Sequence, residues 1–215
     1  MLTCMPDRLY PILDTDLCRE RRLEPLAVLA AFLAGGARFL QLRDKNPSTG
    51  ARLALAEAVV ARAHAAGARV VVNDRPDIAR LSGADGVHVG QDDLSVDEVR
   101  RIMGDTAIVG LSTHDDRQIE AAMRSRATYV AVGPIYGTST KETGYDARGL
   151  DLVRRAAASL RHSSGQAGRP VVAIGGITLE RAPEVIAAGA TSVAVISDLL
   201  VGDPAERVRA FLAAL

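Results

Sequence analysis

From Leu9 onward the chain repeats one alternation, a short β-branched apolar run followed by a longer Ala-rich stretch. The runs fall at 9–13, 39–43, 70–74, 86–90, 108–112, 129–135, 171–176 and 193–197, and Gly, Asn, Asp or Pro punctuates them. Apolar runs this short and continuous suit strands buried on both faces, the condition of a parallel sheet. The stretches between them, such as 53–66, 119–126 and 179–188, carry Ala, Leu, Arg and Glu at helical spacing. Strands alternating with helices in this way build a parallel sheet joined by helical crossovers.

The joins carry a finer signal. Gly36-Ala37, Gly67-Ala68, Gly83-Ala84 and Gly189-Ala190 each end a helical stretch and precede a strand. Glycine suits the left-handed position just past a helix, where a side chain would clash. Counting on from each glycine, the strands run out at Arg43, Asp74, Gly90 and Ile196, so one register delivers the unusual residues to the same end of every strand. Eight βα units in this length fit a (β/α)8 TIM barrel, whose active sites lie at the carboxyl ends of the strands. The rival, a doubly wound open sheet, calls for a Gly-x-Gly-x-x-Gly turn after the first strand, which is absent here. The expectation is a single α/β domain over 1–215, a (β/α)8 barrel. Loop-like stretches fall at 138–148, after a strand end and therefore functional or mobile, and at 162–169, on the opposite rim.

Composition narrows the function classes. The 26 Lys and Arg balance the 26 Asp and Glu, which argues against nucleic-acid binding. Aromatic residues at 3%, with no Trp, offer no stacking platform for bases. Cys4 and Cys18 have neither metal-ligand spacing nor a framework of pairs, and a reducing compartment suits them. The start of the chain is too short and polar for a signal peptide, and no run of about 18 apolar residues would span a membrane. A cytoplasmic globular protein is expected, and a homo-oligomer is compatible with this.

The strand ends carry the chemistry. Gln41-Leu42-Arg43-Asp44-Lys45 combines a planar guanidinium fork with a mobile ammonium, a pairing suited to a polyphosphate. Asn73-Asp74 closes the third run and Asp92-Asp93 follows the fourth, so carboxylates from neighbouring strand ends could converge on Mg2+. Helix N-capping is the competing account of Asp74 and Asp93. The run from Gly133 through Thr138, Ser139, Thr140 and Lys141 can wrap a phosphate but lacks the order of a Walker loop. Gly175-Gly176 and Ile196-Ser197 end the seventh and eighth strands, the usual phosphate site of this barrel. Among the histidines, His88 reads as a hydrogen-bonded core residue, and His114, just past the fifth strand, is the acid–base candidate. Neither cysteine sits at a strand end, which argues against a thiolate nucleophile.

Together these motifs resemble thiamine-phosphate synthases over nearly the whole chain. The resemblance rests on 41–45, Val72-Asn73-Asp74, 86–93, Gly110-Leu111-Ser112, 133–141, 174–177 and Ile196-Ser197, in that order and spacing. It implies an enzyme that joins a hydroxymethylpyrimidine diphosphate to a thiazole phosphate, giving thiamine phosphate and pyrophosphate. On that resemblance Gln41, Leu42, Arg43, Asp44, Lys45, Asn73, Ser112 and Lys141 hold the pyrimidine diphosphate. Asp74 and Asp93 ligate Mg2+, and Thr138, Ser139, Thr140, Gly176, Ile196 and Ser197 hold the thiazole phosphate. Arg43, Lys45, Ser112 and Lys141 act in catalysis, with a dissociative pyrimidine-cation step. Gly137 departs from the family pattern, where many relatives have Pro, and this loosens the loop that follows. The alternatives are a thiazole tautomerase of the same superfamily, which would use His114, and a non-catalytic regulator that binds thiamine phosphates. A phosphate-sugar isomerase fits less well because no pair of carboxylates stands out as its base.

Overall fold

Eight strands run in the expected order, namely β1 (Leu9–Asp14), β2 (Phe39–Arg43), β3 (Arg69–Asn73), β4 (Gly86–Val89), β5 (Ile108–Thr113), β6 (Tyr129–Val132), β7 (Val171–Ile174) and β8 (Ser192–Val195). The structure is a computed structural model and describes residues 7–46, 48–137, 145–161 and 168–215. All neighbours pair parallel in sequence order, and β1 also pairs with β8, so the sheet closes into a barrel. Between the strands lie α1 (Thr15–Glu20), α2 (Pro25–Ala34), α3 (Thr49–Ala65), α4 (Pro76–Ser82), α5 (Val96–Met103), α6 (Asp116–Arg124), α7 (Gly149–Arg161) and α8 (Ala182–Ala187). A 3-10 turn (Ser197–Leu200) and α9 (Pro204–Ala214) follow β8.

The period-two alternation of each strand divides the core into two layers. Leu40, Leu42, Val70, Val72, Val87 and Val89 belong to the layer between strands and helices. Tyr10, Ile12, Phe39, Val71, Ile108, Tyr129, Ala131, Val172 and Ala194 fill the barrel. Inside it Tyr10, Phe39 and Tyr129 meet edge to face, with ring centroids 4.7, 5.8 and 6.3 Å apart, the geometry that aromatic quadrupoles favour.

The four Gly-Ala joins share one turn. Gly36, Gly67, Gly83 and Gly189 all have φ between 71° and 110°. The N–H of the following alanine reaches back five residues: Ala37 to Phe32, Ala68 to Ala63, Ala84 to Ala79 and Ala190 to Val185. That is the Schellman bond, which satisfies a helix's orphan carbonyl while turning the chain into the next strand. At the opposite rim side chains start the helices. Asp14 caps α1, Ser48 caps α3, Asp115 caps α6, and Ser95 opens α5 in a reciprocal capping box with Glu98. Among the described residues no helix is long and apolar enough to cross a membrane.

Candidate active site

Two groups of predicted residues gather at the carboxyl rim, one over β2–β4 and one over β5–β8. In the first, Gln41 and Arg43 share the inner face of β2, while the side chain of Leu42 faces the helices and is buried there. Gln41 Nε2 donates to Tyr10 Oη at 2.9 Å. Arg43 Nη1 donates to Asp14 Oδ2 at 2.6 Å, the two residues being register partners across β1 and β2. Asp14 Oδ1 meanwhile accepts the backbone N–H groups of Asp16 and Leu17, each at 3.0 Å, so one carboxylate caps α1 and orients the guanidinium. Arg43 Nε is buried and has no hydrogen-bond partner among the described residues, which leaves a cationic donor for an anion. Asp44 is turned to the loop, where it accepts from Thr15 Oγ1 at 2.8 Å and from the Asn46 N–H at 3.0 Å.

The carboxylates lie beside this cationic group. Asn73 ends β3, buried and on the inner face like Val71. Asp74 takes φ 62°, and its N–H donates to the carbonyl of His88 at 2.8 Å. A side-chain residue held left-handed is strained, and such strain concentrates at functional sites. Lys45 Nζ donates to Asp74 Oδ2 at 2.5 Å, and the N–H of Gly90 donates to Asp93 Oδ2 at 2.7 Å. Burial, with the touching Asp74 carboxylate adding to it, holds Asp93 above the usual carboxylate range against the Gly90 N–H and the Lys45 charge. Neither residue stands at the N-cap of a helix. The position before α4 is Arg75, which makes no side-chain cap, and Ser95 caps α5. Among the described residues no group of three His, Cys, Asp or Glu could form a closed metal cage. The metal donors here are therefore two adjoining carboxylates, one of them paired with the Lys45 ammonium, a set that fits a hard cation completing its shell with water and phosphate oxygens.

Over β5–β8 lies a cavity of about 330 Å3. Ser112, Gly176, Ile196 and Ser197 line it, so it joins one residue expected at the diphosphate to three expected at the thiazole phosphate. Gly176 has φ 62°, and a Cβ there would lie 2.5 Å from the Gly137 carbonyl oxygen and 2.9 Å from Tyr136 Cβ, so only glycine fits. Thr138, Ser139, Thr140 and Lys141 lie outside the described residues.

Two arginines here were not singled out from the sequence. Arg21 and Arg181 bring positive charge to the cavity, and Arg181 Nη1 donates to the Gly176 carbonyl at 3.0 Å while its guanidinium covers the Tyr136 ring. His114 lines the same cavity; its Nδ1–H donates to the Gly133 carbonyl at 2.6 Å, and its ring stacks on Tyr145 at 4.1 Å. Beneath the rim His88 is hydrogen-bonded inside the barrel, as expected, but its partners are Ser112 Oγ at 2.8 Å and Tyr129 Oη at 3.0 Å. Asp14 could have been found by extending the strand-end register to β1. The inward tyrosines could have been found from their parity, but not their bonding.

Comparison with known proteins places the chain. A family model described as thiamine monophosphate synthase matches residues 9–199. A thiamine-phosphate synthase of Mycolicibacterium smegmatis is 46% identical over 202 residues, 89% of this chain and 85% of the relative. One from Roseiflexus castenholzii is 42% identical over 202 residues, 94% of this chain and 85% of the relative. The solved thiamine phosphate pyrophosphorylase of Pyrococcus furiosus superposes with a TM-score of 0.83 at 28% identity, covering 96% of this chain and 94% of that one. With the barrel, the strand-end motifs and these relatives in agreement, the chain belongs to the thiamine monophosphate synthase family.

Proposed function

We propose that this protein is a thiamine-phosphate synthase, joining a hydroxymethylpyrimidine diphosphate to a thiazole phosphate with release of pyrophosphate. The observation that carries the reading is the unpartnered Arg43 Nε, buried at the strand end beside the group formed by Lys45, Asp74 and Asp93. A diphosphate supplies the anionic oxygens that this donor lacks. Arg43 and Lys45, with Lys141 from the loop after β6, bind it and stabilise the charge that grows as it leaves. Asp74 and Asp93 are the residues that would hold Mg2+, and when bound the ion neutralises diphosphate charge. Gln41, Leu42, Asp44, Asn73 and Ser112 complete the pyrimidine diphosphate side, Leu42 and Asp44 through the backbone of the β2 end. Thr138, Ser139, Thr140, Gly176, Ile196 and Ser197 hold the thiazole phosphate.

Departure of the diphosphate leaves positive charge on the exocyclic methylene, which the electron-rich aminopyrimidine delocalises. The thiazole nitrogen then captures it with its own lone pair, so no enzyme base is required. The test is an assay with both substrates and Mg2+ that follows thiamine phosphate and pyrophosphate. Equimolar formation of the two, lost on chelation, supports the reading; no product under those conditions refutes it. A thiazole tautomerase reading draws on His114 at the cavity wall, and proton exchange on a thiazole without pyrimidine diphosphate would favour it.

A further inference from the structure

The interior of the barrel holds a continuous line of hydrogen bonds that links the two halves of the rim. Gln41 Nε2 donates to Tyr10 Oη at 2.9 Å, Tyr10 Oη lies 2.8 Å from Tyr129 Oη, Tyr129 Oη lies 3.0 Å from His88 Nδ1, and His88 Nε2 lies 2.8 Å from Ser112 Oγ. The register builds it, since His88, Gly110 and Tyr129 are partners across β4, β5 and β6. Gly110 keeps the gap open. A Cβ there would sit 2.2 Å from Tyr129 Cζ, 2.3 Å from its Oη and 2.4 Å from His88 Nδ1. Two tyrosines and a histidine are thus enclosed at a point where apolar side chains would fill a barrel without leaving polar atoms to satisfy.

The protons along this line can be counted. Burial pushes both phenols well above the ordinary tyrosine range, so each keeps one proton. Gln41 Nε2 meets Tyr10 as a donor, so the buried Tyr10 hydroxyl has Tyr129 Oη as its acceptor, and satisfying it sends the Tyr10 hydrogen to Tyr129. Tyr129 then passes its proton to His88 Nδ1. A neutral His88 that accepts at Nδ1 carries its hydrogen on Nε2 and donates it to Ser112 Oγ. The Ser112 hydroxyl, already an acceptor there, is left to donate into the cavity that it lines. We infer that Tyr10, Tyr129 and His88 form a one-directional hydrogen-bond wire that fixes the Nε2–H tautomer of His88 and commits the Ser112 hydroxyl proton to an anionic oxygen of the substrate. Tyr10 and Tyr129 act through His88 and are positioning residues. The last step rests on the reading of Ser112 as a ligand of the pyrimidine diphosphate.

The decisive measurement is 15N NMR of the histidine rings in the full-length protein without substrate. The chain has four histidines, so the His88 signals are assigned by their loss in His88→Gln. The expected result is an unprotonated Nδ1 and a protonated Nε2, giving way to a tautomer mixture in Tyr129→Phe. An Nδ1–H or doubly protonated ring in the wild type overturns the wire. Kinetically, Tyr129→Phe raises the KM for the pyrimidine diphosphate by about three- to tenfold, the scale of one hydrogen bond, and leaves the KM for the thiazole phosphate unchanged. Tyr10→Phe has a smaller effect in the same direction and stands in if Tyr129→Phe does not fold. An unchanged tautomer, or an altered tautomer with unchanged kinetics, also overturns the inference. If instead Ser112→Ala leaves the pyrimidine diphosphate kinetics untouched, the assignment of Ser112 as a ligand fails, while the tautomer measurement still judges the wire.

Discussion

Replacing Asp14 separates two tasks that one carboxylate performs. Its Oδ1 accepts two backbone N–H groups of α1 and its Oδ2 holds Arg43, while the residue itself is 4% exposed. Asp14→Ala removes both functions. Losing the cap costs about 1 kcal/mol. Stranding a guanidinium costs about 3–5 kcal/mol when it is fully buried. Here the Arg43 side chain keeps 14% exposure and Asp16 Oδ2 lies 3.8 Å away, which brings that term down to about 2 kcal/mol. The total is about 3 kcal/mol, enough to move a urea midpoint clearly at constant slope. Asp14→Asn retains an oxygen that can cap α1 but puts an amide NH2 where Oδ2 accepted from Arg43, so it loses the ion pair, keeps the cap and is expected about 1 kcal/mol above Asp14→Ala. Because Arg43 is less firmly oriented in both variants, the KM for the pyrimidine diphosphate rises in both. If Ala and Asn variants unfold at the same midpoint, the capping oxygen contributes nothing. If neither departs from wild type, the ion pair is energetically silent, and the reasoning from geometry to stability is wrong.

Other expected outcomes follow from single contacts. Asp74→Gly relieves a side-chain residue at φ 62°, so it raises the unfolding free energy by about 0.5 kcal/mol while lowering turnover at least about tenfold; thermal melts and steady-state rates on one preparation check both. Gly176→Val places a side chain against the Gly137 carbonyl and Tyr136; it raises the KM for the thiazole phosphate and spares that for the pyrimidine diphosphate, and the reverse pattern would mean that the two pockets are interchanged. Burial pushes the Cys18 thiol from 9.0 to about 11, with Asp14 and Glu24 adding to it, so at pH 8 it carries about a hundredfold less thiolate than an ordinary cysteine. Peptide mapping should find Cys18 unalkylated in the native protein and alkylated in urea. Between pH 9 and 11 the native state keeps a proton that the unfolded chain has lost, so raising pH through that window lowers stability.

The βα repeat and the Gly-Ala joins were enough to specify the barrel, because buried parallel strands and Schellman turns are local patterns of residue type. Strand ends were off by a few residues where a local backbone event stops the ladder. The run read as 70–74 stops at Asn73 because Asp74 turns left-handed, and the run read as 171–176 stops at Ile174 because Gly175 and Gly176 do. The run read as 129–135 stops at Val132, two residues before Pro134, which has no N–H to donate. The strand-end motifs likewise named the residues of the rim, since the register carries Arg43, Asp74 and Ile196 to one side. Tertiary structure alone decided which of them meet. Tyr10 and Tyr129 are 119 residues apart and share a hydrogen bond only because the sheet closes between β8 and β1. Asp14 finds Arg43, and Asp74 finds Asp93, only once neighbouring strands set their register. Periodicity fixes the face on which a side chain lies, but the partner across a barrel depends on closure and stagger, which no single strand encodes.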